Sequence, residues 1–290
     1  NVSCNILVST GRSSYQGLIQ LMPKKGGVRE CCEAREGTVW SSVDYAAIEM
    51  STLAQVQLWS LGRSKLADAI NKGMDPHSFF AAVMRGVNYE DFLANKKRTE
   101  EALLRFAAKA ANFGFPGMMG AAKFVIAKKR EGHSVCLWTG TGVPCGKVKV
   151  RNWKDKELDA PLCKRCIEEA EKLRQFYLAH WTDMRPYWKW VTVQLGSAMR
   201  LEQFVSKRVR GGLSGPAAAN TLFQGLAADG AKAALRKMTK EMYLDRSSPL
   251  YGSRLMVFAH DETIIEIPKE KAHEAAMRQA TIMVEEMRVY

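Results

Sequence analysis

Near the C-terminal end of the chain, Leu255-Met256-Val257-Phe258 and the β-branched run Ile264, Ile265 and Ile267 are of strand length with polar residues between them, which predicts a β-hairpin. Val39 to Val43 alternates weakly and predicts a strand; from Tyr45 onward Ile48, Leu53 and Val56 fall on a helical stripe. Residues 61–104 predict helices, with loops around Asn71-Lys72-Gly73 and Arg85-Gly86-Val87. One of these helices starts at Asp75-Pro76-His77, with Asp as cap and Pro in the first turn. Residues 164–200 carry a long helical pattern rich in aromatics: Phe176, Tyr177, Trp181, Tyr187, Trp188 and Trp190. Residues 216–243 predict another helix, and an amphipathic helix over roughly 268–287 closes the chain. Glycines and a proline in Gly114-Phe115-Pro116-Gly117-Met118-Met119-Gly120 predict a helix end or a close backbone approach. No internal repeat and no low-complexity linker interrupts this order.

Composition narrows the class. The 290 residues are 47% hydrophobic, so the chain is globular and long enough for one or two domains. No apolar run reaches the roughly 18 residues of a membrane-spanning helix. The start, NVSCNILVSTGRSS, lacks the pattern of a signal peptide. Lys plus Arg number 43 against 30 Asp plus Glu, a net +13. Such a balance on a folded domain points to a polyanion, most often nucleic acid, with dispersed charge as the alternative. Seven cysteines without a signal peptide argue for a reducing compartment, where cysteines are metal ligands or free thiols more often than disulfides. These features predict a cytoplasmic protein, in a phage-infected host or otherwise, with no membrane partner.

Candidate chemistry sits on four features. The first is the predicted hairpin tip, where His260 precedes the adjacent carboxylates Asp261 and Glu262. Adjacent like charges repel unless a cation holds them, and the usual cation is a hard metal ion; a solvated acidic turn is the alternative. The second is Asp44, where a strand hands over to a helix: a helix cap, or a ligand projected from a strand end. The third is Arg105, Lys109 and Phe113 at i, i+4 and i+8, on one helix face. Two cations and a ring in one stripe suit a triphosphate with a stacked base; a solvated basic face with Phe113 in the core is the alternative. The fourth is the stretch 131–166, with His133, Cys136, Cys145 and the pair Cys163-Lys164-Arg165-Cys166. Four thiolates would close a tetrahedral zinc site, with His133 as an alternative to Cys136, although Cys136 and Cys145 are spaced irregularly for one. Free reduced thiols are the alternative. Asn220 and Gln224, one turn apart on an apolar helix, need partners if buried, and nucleic-acid grooves supply them. The aromatic pattern of 164–200 is core more often than a nucleotide platform. His77 has the bland reading of a helix-end histidine.

Taken in order, these stretches resemble the polymerase-I-like family A DNA polymerases, over nearly the whole chain. VDYAAIEM at 43–50 is similar to the family's first acidic motif, RFAAKAANFG at 105–114 to its fingers-helix motif, and AHDE at 259–262 to its second acidic motif. Weaker echoes are collinear: TGRSS at 10–14, Gln20 before Pro23, DPH at 75–77 and NTLFQGLAAD at 220–229. The resemblance implies an α+β fold, a palm whose antiparallel sheet carries the catalytic carboxylates and a mostly helical fingers subdomain. The palm would comprise residues 1–60 and 201–290; the fingers would span 61–200 and include the Cys-rich insertion 131–166. It implies two magnesium ions held by Asp44, Asp261 and the backbone carbonyl of Tyr45, with Lys109 and Glu262 among the catalytic groups. Arg105, Lys109, His77, Phe113, Glu49 and Tyr45 would bind the incoming dNTP, with Glu49 excluding ribonucleotides by crowding C2′. Arg12, Gln20, Asn220, Gln224 and His260 would contact primer–template DNA. A thumb and any proofreading exonuclease would precede residue 1 or be supplied by a separate subunit.

Four departures from the family pattern bear on function. Gly117, after Pro116, stands where the family has the tyrosine that fills the template-base site. Ala46, Ala47 and Ser51 replace the usual Ser, Gln and Arg. Pro216 stands where an arginine is usual, and the chain ends where a final strand is usual. The expected function is DNA-directed DNA synthesis in replication or repair. A catalytically degenerate nucleic-acid-binding relative, and an RNA polymerase or reverse transcriptase of the same palm type, are the alternatives.

Overall fold

The computed structural model describes residues 3–5, 14–16 and 137 as backbone, and residues 31–136, 138, 163–259 and 261–290 in full. The fold is α+β. Strands β1 (Ser3–Asn5) and β2 (Ser14–Gln16) pair antiparallel. Then follow β3 (Thr38–Asp44), α1 (Ile48–Leu61), α2 (Lys65–Asn71), α3 (Pro76–Arg85), α4 (Tyr89–Asn95), α5 (Thr99–Gly114) and α6 (Ala121–Arg130). After them come α7 (Lys164–His180), α8 (Met184–Leu195), the two-residue strands β4 (Leu201–Glu202) and β5 (Val209–Arg210), and α9 (Gly215–Tyr243). Strands β6 (Arg254–Ala259) and β7 (Glu262–Pro268) and helix α10 (Ala272–Val289) complete the order. The chain divides into two compact units, one of residues 1–52, 201–210 and 221–290, the other of 53–200 and 211–220.

The first unit is built on an antiparallel sheet of order β3-β7-β6. The predicted hairpin is β6–β7, with a register shift between Leu255 and Val257 that leaves Met256 as an extra residue. Strand β7 sits between the other two, and Ile265 and Ile267 are fully buried on one face with Ala234, Met238 and Met242 of α9 and Ile282 and Met283 of α10. Each such side chain contributes roughly 1.5–3 kcal/mol of hydrophobic stabilisation. Two polar side chains inside this layer are paired, as burial demands. Gln279 of α10 donates to the Thr263 carbonyl at 3.0 Å and accepts from Ser41 Oγ at 2.7 Å. Glu266, in the middle of β7, is buried at 2% exposure and accepts from the backbone and guanidinium of Arg35. Those hydrogen bonds hold its carboxyl down at about 2.

The second unit is helical, and its core is aromatic. Phe80 of α3 packs on Tyr177 and Trp181, and Phe115 packs on Phe124 and Tyr177. Tyr177, Trp181 and Tyr187 are buried, which makes the aromatic pattern of 164–200 mainly core. The single long helix expected there is two, α7 and α8, broken at Trp181–Asp183. Asp183 sets the place of the break: it is buried and turned onto the Lys65 amide at 2.8 Å and Arg63 Nε at 3.0 Å, at the start of α2. Helix α3 begins as predicted, with Asp75 accepting from the His77 and Ser78 amides, and ends at Gly86, whose φ of 77° suits glycine.

Candidate active-site residues and a cysteine cluster

In the first unit, β3 and β7 pair so that Asp44, the last residue of β3, lies directly opposite Glu262, the first of β7. Directly opposed residues share a sheet face with their Cα atoms roughly 4.5–5.5 Å apart. Asp261 immediately precedes Glu262, and its carbonyl accepts from the Tyr45 amide at 3.4 Å. One end of the sheet therefore gathers Asp44, Tyr45, Asp261 and Glu262. Asp44 is exposed and Asp261 half-buried. Ser42 Oγ donates to Glu262 Oε1 at 2.6 Å, which ties that carboxylate back along β3. The Tyr45 ring packs against the core and its hydroxyl donates to the Met283 carbonyl at 2.7 Å. Burial first, then the charge of Glu286, pushes its phenol well above the usual range, so Tyr45 offers a site its backbone, not its ring oxygen. Between Asp44 and α1, Ala47 takes a left-handed φ of 52°, so the helix starts at Ile48 rather than at Tyr45 and Asp44 is a strand end rather than its cap. Glu49 is half-buried in the first turn of α1.

The same unit holds a feature that sequence reasoning missed. Gly225, in the middle of α9, lies under the β4–β5 hairpin: a Cβ added there would fall 1.9 Å from Gln203 Nε2 and 2.8 Å from Arg208 Nη2. Gln203 is buried and donates to the Thr221 carbonyl at 2.6 Å, and Arg208 reaches Asp229 at 3.0 Å. A glycine between Gln224 and Leu226 in an apolar helix was the available signal. Gln224 is half-buried on the same helix.

In the second unit, Arg105, Lys109 and Phe113 lie along α5, and His77 at the start of α3 joins them. Lys109 Nζ is 5.7 Å from the centroid of Phe113, whose ring is 40% exposed rather than in the core. The His77 ring lies 5.3 Å from that of Phe113. Arg105 is gripped through one edge: Nη2 lies 2.8 Å from Asp75 Oδ2, and Nε lies 2.9 Å from Ser78 Oγ. Burial pushes the Asp75 carboxyl up, but hydrogen bonds from Ser78, Arg105 and the His77 amide outweigh it and bring it down to about 2. His77 is itself buried, and burial, aided by Arg105 and Lys109 against Asp75, lowers it to about 4. Its tautomer follows from a chain of donors. Trp181 Nε1 donates to Asn112 Oδ1 at 3.2 Å, so Asn112 Nδ2 faces and donates to His77 Nδ1 at 3.0 Å. Neutral His77 then carries its proton on Nε2. Asn112 escaped sequence reasoning because its role is set by Trp181, far along the chain.

Gly117 is buried in the short turn Phe115–Gly117, where a Cβ would fall 2.2 Å from Asn220 Nδ2. The space beside Gly117 is thus taken by the Asn220 amide. Pro216 lies in the first turn of α9, where its missing N–H costs no helical hydrogen bond.

Cys136, Cys163 and Cys166 come together, their sulfurs all within 4.8 Å of one another. His133 is not among them; its ring packs on Phe106 at 4.5 Å. Arg12, Gln20, Cys145 and His260 lie outside the described residues. Among the described residues, no helix is long and apolar enough to cross a membrane.

No known protein-family model matches the chain. Over 271 residues, 92% of the chain, it is 26% identical to the thermostable DNA polymerase I of Thermus filiformis, and over 279 residues, 95% of the chain, 26% identical to that of Thermus aquaticus. The chain spans only 27% and 28% of the length of these relatives. Its fold matches the polymerase domain of Pol1 from M. smegmatis, solved in complex with DNA primer-template and dNTP, with a TM-score of 0.69 at 22% identity; the match covers all of this chain and 45% of that one.

Proposed function

We infer that this chain, the palm and fingers portion of a polymerase-I-like family A polymerase, belongs to a DNA-directed DNA polymerase that adds dNMPs to a primer 3′ end. The observation that carries the reading is the pairing of Asp44 with Glu262 beside the Tyr45–Asp261 backbone hydrogen bond, which collects carboxylates from distant parts of the sequence at one sheet end. The donors there are all oxygen, which fits magnesium, and Asp44, Asp261 and the Tyr45 carbonyl would hold two such ions. Bound there, magnesium would stabilise the charge on the attacking 3′-oxygen and on the departing pyrophosphate.

The chain's own residues divide the remaining work. Arg105 and Lys109 would bind the β- and γ-phosphates, and Lys109 would protonate the leaving pyrophosphate. His77, neutral with its proton on Nε2, would donate a hydrogen bond to phosphate without adding charge. Phe113 would stack on the incoming base. Glu49 would exclude ribonucleotides by occupying space needed for a 2′-hydroxyl. Glu262, held by Ser42, would bias the field around the metal ligands. Asn220, Gln224, Arg12, Gln20 and His260 would contact primer–template DNA, with the net positive charge adding affinity that falls with salt. This reading places the protein in the cytoplasm, in replication or repair, together with an N-terminal thumb or exonuclease region or a separate subunit supplying it.

Magnesium-dependent primer extension tests it. Asp44→Ala and Asp261→Ala should each reduce incorporation by at least about 1000-fold while leaving duplex binding within a few-fold. Full extension by either variant removes the catalytic assignment. The second reading, a DNA-binding relative without activity, is favoured by Gly117, where the family has a tyrosine, and by the Asn220 amide beside it. Duplex binding with no incorporation by the wild type would establish it.

A further inference from the structure

We propose that Cys136, Cys163 and Cys166 form a structural zinc site within the helical unit, separate from the phosphoryl-transfer chemistry. Cys136 sits on the short turn Val135–Leu137 that follows α6, and Cys163 and Cys166 open the 17-residue helix α7. Their sulfurs lie within 4.8 Å of one another. Zinc–sulfur bonds of about 2.3 Å in a tetrahedron place thiolates about 3.8 Å apart, so the trio needs only a small contraction to close on an ion.

Two further observations describe how the sulfurs are held. Backbone amides donate to the sulfurs: Cys166 N to Cys163 Sγ at 3.4 Å, and Cys136 N to Cys166 Sγ at 3.4 Å. The first of these is the N-cap hydrogen bond of α7, so the helix start fixes the positions of both Cys163 and Cys166. All three residues are buried, at 0%, 9% and 3% exposure. An ion held by the trio would therefore be enclosed by protein, as structural zinc sites are. Zinc is the divalent ion suited to such a set, and the three thiolates leave one tetrahedral position for a further donor. The site joins two chain segments that are far apart in sequence, the end of α6 and the start of α7. Its binding energy therefore adds to folding of the helical unit.

The whole chain, purified under reducing conditions without chelator, should contain about one zinc per molecule by elemental mass spectrometry. Cys163→Ala/Cys166→Ala should lower this at least tenfold, and Cys31→Ala/Cys32→Ala, which removes two exposed cysteines, should leave it unchanged. In the wild type, a chelator should release the metal and make the three protected thiols react with a thiol reagent, a result independent of whether the double variant folds. Wild-type protein that holds no stoichiometric zinc and takes none up on titration overturns the proposal, as does zinc retained by Cys163→Ala/Cys166→Ala or lost from Cys31→Ala/Cys32→Ala.

Discussion

Asp75 holds Arg105 by one edge of its guanidinium, with Oδ2 at 2.8 Å from Nη2 and 3.2 Å from Nε. The same carboxylate caps α3 through the His77 and Ser78 amides. One side chain thus fixes a helix start and the direction in which a cation on a neighbouring helix points. The hydrogen bonds use Nε and Nη2.

Asp75→Asn separates these two roles, because Asn caps helices as well as Asp does. The variant should lose about 1 kcal/mol or less of stability, in keeping with the partial exposure of the pair at 39% and 32%. Its KM for dNTP should rise roughly 3- to 10-fold, about 0.7–1.4 kcal/mol, with kcat changed less. Steady-state primer extension at varied dNTP checks this. A lower KM would mean that Asp75 competes with the triphosphate for Arg105 instead of positioning it.

His77 yields a prediction in pH. Its folded-state pKa of about 4 lies below the ordinary 6.5. Between those values the unfolded chain binds a proton that the folded chain excludes, so stability rises with pH across this window and falls on acidification from 6.5 toward 4. His180, buried and likewise lowered to about 4 by burial and then by Lys65, adds to the same window. Each histidine contributes up to roughly 3 kcal/mol by the conversion of about 1.36 kcal/mol per pKa unit. The melting temperature should therefore drop several degrees between pH 6.5 and 4, and His77→Gln should flatten part of that slope. An unchanged slope in His77→Gln would show that the ring is solvated.

How much of this arrangement was legible in the sequence varied with the range of the interaction. The β6–β7 hairpin was readable because its two apolar runs and polar tip are local, and α3 because Asp75, Pro76 and Gly86 mark its ends chemically. The register of β3 was not, because pairing Asp44 with Glu262 rather than a neighbour depends on burying Ile265 and Ile267 against α9 and α10. The α7–α8 break did carry a local signal, Pro186, which suits the first turn of a new helix and not the interior of a continuous one; its exact place follows from Asp183, which serves α2. Glu266 sits in an apolar run and is buried only because Arg35 meets it there. The grouping of Cys136, Cys163 and Cys166 was readable from the C-x2-C pair and the nearby cysteine, although their final positions rest on the packing of α6 and α7.

Gly117 and Asn220 should behave as one unit. Gly117→Ala puts a Cβ where the Asn220 amide is, 2.2 Å from Nδ2. Asn220 has a short side chain that can rotate away, so the cost should be moderate, about 1–2 kcal/mol. Asn220→Ala should recover most of that loss in the double variant, a non-additivity of about 1 kcal/mol in urea unfolding. Additive losses would place the conflict in the backbone of the Phe115–Gly117 turn instead. Gly117→Tyr should be tolerated only alongside a small residue at 220, which tests directly whether the Asn220 amide fills the space beside Gly117.

Gly225 is the harsher case, because the group above it cannot move freely. Gln203 is buried, and its Nε2 is committed to the Thr221 carbonyl at 2.6 Å. A methyl at 225 would displace that amide and press on Arg208, which is held by Asp229. The helix-propensity gain of alanine over glycine, about 1 kcal/mol, works in the opposite direction. Overpacking of roughly 1–3 kcal/mol together with a lost buried hydrogen bond should outweigh it, leaving Gly225→Ala net destabilised by about 1–3 kcal/mol. Gln203→Ala in the same chain removes the obstruction, so Gly225→Ala introduced into that background should regain the propensity benefit and turn neutral or stabilising. A Gly225→Ala variant already as stable as wild type in urea unfolding would mean that the β4–β5 hairpin lifts off α9 at little cost.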